Sequence, residues 1–113
     1  MTLGELVTRE NLVGRVFRIH EKNGFTYRGI VARAEVRGDD VVFCLSTHAR
    51  RFEDNHRGNW KNLPDAKITY GKNITARKPV GEIITFTLPN GSEVYLYPGG
   101  VKLEEVENAP YLR

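Results

Sequence analysis

Only one residue in 113 is cysteine, one is tryptophan and one is methionine. The lone thiol, Cys44, has no second cysteine to pair with, so the expectation is a reducing compartment, the cytoplasm. Zinc signatures built on cysteine pairs are excluded by the same count. No apolar run approaches the ~20 residues of a bilayer-crossing helix. The opening Met1-Thr2-Leu3-Gly4-Glu5 lacks the basic and apolar regions of a secretory leader. No glycine-rich loop follows a strand and opens a helix, which leaves nucleotide binding of that kind unsupported. Repeats and low-complexity segments are missing as well, and this length suits one domain, residues 1–113, with a single core.

What the chain has in quantity is period-two alternation. Leu12 to His20 sets Val13, Phe17 and Ile19 on one face and Val16 on the other. Glu21-Lys22-Asn23-Gly24 then supplies Asn-Gly, which predicts a hairpin through a type I′ turn. The return strand runs from Phe25 to Val36, and Gly29 in its apolar middle predicts a bend or bulge. After Arg37-Gly38-Asp39-Asp40, Val41, Phe43 and Leu45 alternate with Val42, Cys44 and Ser46. Ala66 to Tyr70 reads as a short strand, and Ile74 to Arg77 as an edge segment. A second hairpin carries Ile84, Phe86 and Leu88 inward, turns at Pro89-Asn90-Gly91-Ser92, and returns with Val94 and Leu96 inward. Tyr95 and Tyr97 are then expected on the outer face, and Val101 and Leu103 in a last strand. Ahead of it all, Thr2 as N-cap and Glu5 three residues on predict a short helix with Leu3, Leu6 and Val7 on one face. The expectation is an all-β fold, a small barrel of about five to seven short antiparallel strands with a short N-terminal helix.

Residues 48–63 interrupt this pattern, as the core of an irregular insert over 48–78. They hold two of the three histidines, the only tryptophan, and Arg50, Arg51, Arg57 and Lys61. Charge follows the same division. Residues 1–47 carry a net +1, residues 48–78 a net +5, with Lys67, Lys72, Arg77 and Lys78 adding to the basic side, and residues 79–113 a net −3. Such asymmetry points to a polyanionic partner and equally describes a solvated loop.

Together, the short helix, Leu12-Val13-Gly14-Arg15-Val16-Phe17-Arg18-Ile19, Asn23-Gly24 and Tyr27-Arg28-Gly29-Ile30-Val31 resemble the opening of an Sm-like small β-barrel. Gly91-Ser92-Glu93-Val94 and Gly99-Gly100-Val101 are loosely similar to the family's second hairpin. The resemblance implies an SH3-like barrel, RNA binding and ring oligomers. Sm-like proteins place an acidic residue and then a base-holding asparagine soon after the strand glycine. Arg33-Ala34-Glu35-Val36-Arg37-Gly38-Asp39-Asp40 has no such asparagine, so no base-binding residue carries across.

Three functional classes follow. Nucleic-acid binding without catalysis leads, with RNA or single strands favoured: Arg50, Arg51, Arg57, Lys61, Lys72, Arg77 and Lys78 would meet phosphates, and Trp60, Tyr95 and Tyr97 would stack on bases. Phe52, and Tyr27 if its face is open, could join them; equally, Phe52 and Trp60 could pack the insert onto the barrel. A protein-interaction or assembly module acting through open sheet edges, self-assembly included, is the alternative. A metal-dependent nuclease built on His48, Glu53, Asp54, His56 and Arg57 ranks last, because their spacing matches no defined metal signature. No cofactor and no metal are expected, and Cys44 is read as a small filler.

Overall fold

Alternation of this extent yields one mostly β, antiparallel sheet. The structure, a computed structural model, describes residues 1–52, 60–77 and 82–106. Helix α1 (Leu3–Arg9) leads into strands β1 (Val16–His20), β2 (Phe25–Arg37), β3 (Asp40–Phe52), β4 (Lys61–Asn62), β5 (Ala66–Gly71), β6 (Ile84–Thr87) and β7 (Glu93–Leu96). A one-turn helix, α2 (Leu103–Val106), follows. The strand order is β4-β3-β2-β1-β7-β6, and β5 pairs with β3 along Asp40–Leu45. No helix among the described residues is long and apolar enough to cross a membrane.

α1 forms where the capping residues put it. The Thr2 hydroxyl accepts the Glu5 N–H at 3.2 Å, and the Glu5 carboxylate accepts the Thr2 N–H at 3.4 Å. The Thr2 N–H and, after it, the Thr2 hydroxyl both donate to the Glu5 carboxylate and hold its carboxyl below the ordinary range. Leu3 and Leu6 enter the main core, joined by Phe17, Val31, Val41, Phe43, Leu45, Phe86, Val94 and Leu96. Gly4, a poor helix former, stands at a close approach. A Cβ there would lie 3.1 Å from Lys72 Cβ, and its N–H donates to the Lys72 carbonyl at 2.9 Å.

The Asn23-Gly24 turn differs from the type I′ expectation, and the Asn90-Gly91 turn shares its form. Gly24 and Gly91 have φ of 91° and 86°, while Asn23 and Asn90 keep negative φ. Each is a turn closed by a left-handed glycine, and each asparagine Oδ1 accepts the N–H two residues on, Phe25 at 3.0 Å and Ser92 at 2.9 Å.

The bulge expected at Gly29 is present, and its consequence reaches further than the strand pattern suggested. Arg28 pairs with Ala49 and Ile30 with Ser46, so Thr47 and His48 together pass the single Gly29. Thr47 takes φ 54°, costly for a β-branched residue, and the Arg28 guanidinium donates to its carbonyl. A Cβ on Gly29 would sit 3.1 Å from Leu45 Cβ. Before the bulge β3 points odd residues inward (Val41, Phe43, Leu45); after it the even residues His48, Arg50 and Phe52 share that face. This change of parity hid the second half of β3. Residues 48–52 are strand, not insert.

Three further expectations are corrected. Val13 is 57% exposed in the turn before β1, and Leu12 is the residue that enters the core. Val101–Leu103 is not a strand: Leu103 begins α2, and Val101, Leu103 and Val106 lie against a second small core of Val16, Tyr95 and Tyr97. That second core overturns the open outer face expected for Tyr95 and Tyr97, which are 1% and 7% exposed. Their alternation with Val94 and Leu96 is as expected, but α2 covers the face they occupy.

Candidate functional site

Beyond the bulge, the end of β3 runs beside Phe25–Arg28 of β2, and the two faces of this ribbon differ in character. On the face continuous with the main core, Phe52, Phe25, Tyr27 and His48 form a row. Phe25 and Phe52 meet edge-on with centroids 5.0 Å apart, Phe25 and Tyr27 lie 6.4 Å apart, and Tyr27 stacks on His48 at 5.8 Å and 23°. The Arg50 guanidinium sits 5.3 Å from the Phe25 ring centroid. Phe52 is 43% exposed, and the other rings are half-buried. Lys61, the β4 partner of Arg50, is exposed beside them. His48 Nδ1 lies 3.1 Å from the Pro64 carbonyl, an acceptor only, so this nitrogen carries the proton. A half-buried Arg50, an exposed Lys61 and a row of rings thus share one ledge.

Next to Tyr27 and His48 the ledge opens into a cleft of about 300 Å³. Ile19, Ile68 and Leu88 supply apolar walls, Tyr70 adds a third aromatic ring, and Glu21, Asn90 and Ser92 contribute polar groups. These polar residues come from the β1–β2 and β6–β7 turns, brought side by side because β1 pairs with β7. The Lys22 chain lies across Gly91 between the turns: a Cβ there would overlap Lys22 Cε. Burial, and after it the Glu21 charge, push the Tyr70 phenol above its ordinary range. The Glu21 carboxylate makes no ion pair or side-chain hydrogen bond among the described residues.

The opposite face is closed. Arg18 and Arg28 are cross-strand partners on it, Arg51 lies nearby, and these three are 2%, 6% and 6% exposed. The Trp60 ring has the Arg28 guanidinium 5.2 Å and the Arg51 guanidinium 4.7 Å from its centroid. Arg18 donates to the Val106 carbonyl at 3.0 Å. Arg51 and Trp60 therefore act here as packing partners, since the bulge turns Arg51 to this face.

The residues singled out for nucleic-acid contact thus scatter. Arg50, Arg51, Trp60 and Lys61 gather at one end of β3, on two faces. Lys72 is near the other end, where its ammonium lies 3.3 Å from the Asp39 carboxylate. Arg77 is exposed and donates to the Thr87 hydroxyl on β6. Tyr95 and Tyr97 belong to the second core, with the Tyr95 hydroxyl donating to Glu93 at 2.5 Å. Arg57 and Lys78 lie outside the described residues, as do Glu53, Asp54 and His56 of the nuclease alternative. Among the described residues no three His, Cys, Asp or Glu side chains are grouped to hold a metal ion. Phe25, Glu21 and Asn90 escaped the sequence reading of the site. Phe25 and Tyr27 share parity on β2, a visible signal, but only tertiary pairing sets them beside His48, Arg50 and Phe52. No protein-family model, curated protein or solved structure matches the chain.

Proposed function

We propose that this protein binds single-stranded nucleic acid, RNA in preference, on the ledge of Phe52, Phe25, Tyr27 and His48, without catalysing a reaction. The carrying observation is the Arg50 guanidinium over the Phe25 ring, within a row of rings whose outermost member is 43% exposed. Aromatic faces stack on unpaired bases, while Arg50 and Lys61 at the same rim neutralise phosphates. The sheet is read as a small SH3-like, Sm-like barrel. Support comes from the chain after β5: Ala76 bridges Phe86 and the Arg77 N–H donates to the Thr85 carbonyl, tying that segment to edge strand β6.

Fluorescence anisotropy with a labelled octauridylate tests the proposal. Micromolar binding at low salt that weakens steeply as salt rises is the expected result. Phe52→Ala and Arg50→Ala should each reduce affinity several-fold, and Arg50→Ala should also flatten the salt dependence. Failure to bind RNA or single-stranded DNA at low salt refutes the reading. A second reading, protein association by strand addition, rests on β5, whose described backbone pairs with β3 alone. It predicts a concentration-dependent oligomer in sedimentation, lost on Thr69→Pro.

A further inference from the structure

We infer that the cleft beside Tyr27 and His48 receives one unstacked guanine base of the bound strand. This inference rests on the ledge reading and adds a base preference to it. At about 300 Å³ the cleft is at the lower end of small-ligand sites, which run from roughly 300 Å³ upward. That is room for one planar heterocycle and not for a base pair. Tyr27 and His48, stacked on each other, extend the ledge into the cleft, so a base turned off the ledge remains against an aromatic surface.

The polar groups choose among bases. An ionised carboxylate only accepts hydrogen bonds, through two oxygens side by side. Guanine alone offers two adjacent donors, its ring N1–H and its exocyclic amine, to such a pair. Adenine and cytosine set one amine beside an accepting ring nitrogen, and uracil flanks its single N–H with two carbonyls. Each of those would put an acceptor against Glu21. The Glu21 charge reaches into the cleft, since it contributes to the raised pKa of the buried Tyr70 phenol. Asn90 complements it. Its Oδ1 already accepts the Ser92 N–H at 2.9 Å, which orients the amide and leaves the NH2 group to donate to the guanine carbonyl. Phosphate is kept out by the same carboxylate and drawn to the rim, where Lys22 crosses Gly91 and Arg50 caps Phe25.

The test uses the full chain and four labelled octamers: octauridylate, and the same oligomer with one central uridine replaced by guanosine, inosine or adenosine. Guanosine should tighten binding about tenfold over uridine, the size of a good bidentate base contact. Inosine, which lacks the exocyclic amine, should lose most of that gain, and adenosine all of it. In Glu21→Gln the guanosine-to-uridine ratio should fall to near one, with an unchanged circular dichroism spectrum. Equal binding of all four octamers, or a guanosine preference that survives Glu21→Gln, overturns the base assignment and leaves the ledge standing. Binding of none overturns the ledge, and the assignment with it.

Discussion

Trp60 separates packing from recognition more sharply than any other residue, because its ring is the sole indole and two buried arginines lie over it. Trp60→Ala removes two guanidinium–ring contacts, each worth about 0.5–2 kcal/mol in a covered setting. It also uncovers part of a large apolar surface, about 1–2 kcal/mol for a half-buried ring. Water reaching Arg28 and Arg51 returns some of this, so the net loss should be about 3 kcal/mol. That is a large share of the 5–15 kcal/mol typical of a domain. The Nε1–H is buried without a hydrogen-bond partner among the described residues, so Trp60→Phe should cost markedly less, about 1 kcal/mol. Urea titration followed by far-UV circular dichroism is the assay, with wild-type indole emission as a second probe. At a slope of about 1.5 kcal/mol/M, the Trp60→Ala midpoint should drop by about 2 M. Octauridylate affinity, measured where the variant is folded, should change little. A midpoint within about 0.3 M of wild type, with oligonucleotide binding abolished, would refute this assignment and make Trp60 a stacking platform.

Two further expectations concern stability. Thr2→Ala breaks the capping box of α1 and should cost about 1 kcal/mol, read from the urea midpoint, with faster amide exchange over residues 3–9. The raised pKa of the Tyr70 phenol makes stability fall in alkali. Below about pH 10 both folded and unfolded chains hold this proton; above it only the folded chain does, so unfolding gains ground as pH rises. Tyr70→Phe should flatten this slope between about pH 10 and 12; melting curves that fall as steeply as wild type would count against burial as the cause.

How much of the molecule is legible in the chain depends on how local its cause is. α1, the Asn-Gly turns and the strands with clean alternation depend on residues within a few positions of one another, and they stand where expected. The second half of β3 was not legible. Its parity reverses at Thr47, and that reversal depends on the carbonyl and Cβ that crowd Gly29 from another strand. Strand alternation divides Arg50 from Arg51, and the reversal decides which face each takes: Arg50 joins the ledge and Arg51 lies against Trp60.

Tyr95 and Tyr97 make the parallel case. Alternation assigns a side chain to one face of a strand and is silent on what covers that face; here α2 covers it. The amino-acid sequence by itself determined an antiparallel β domain, its short capped helix, its two glycine turns and the region in which basic and aromatic residues concentrate. Only the tertiary structure decided which of those residues share a surface. Strand pairing joins residues far apart in the chain, and a single extra residue in one strand exchanges the two faces of everything after it.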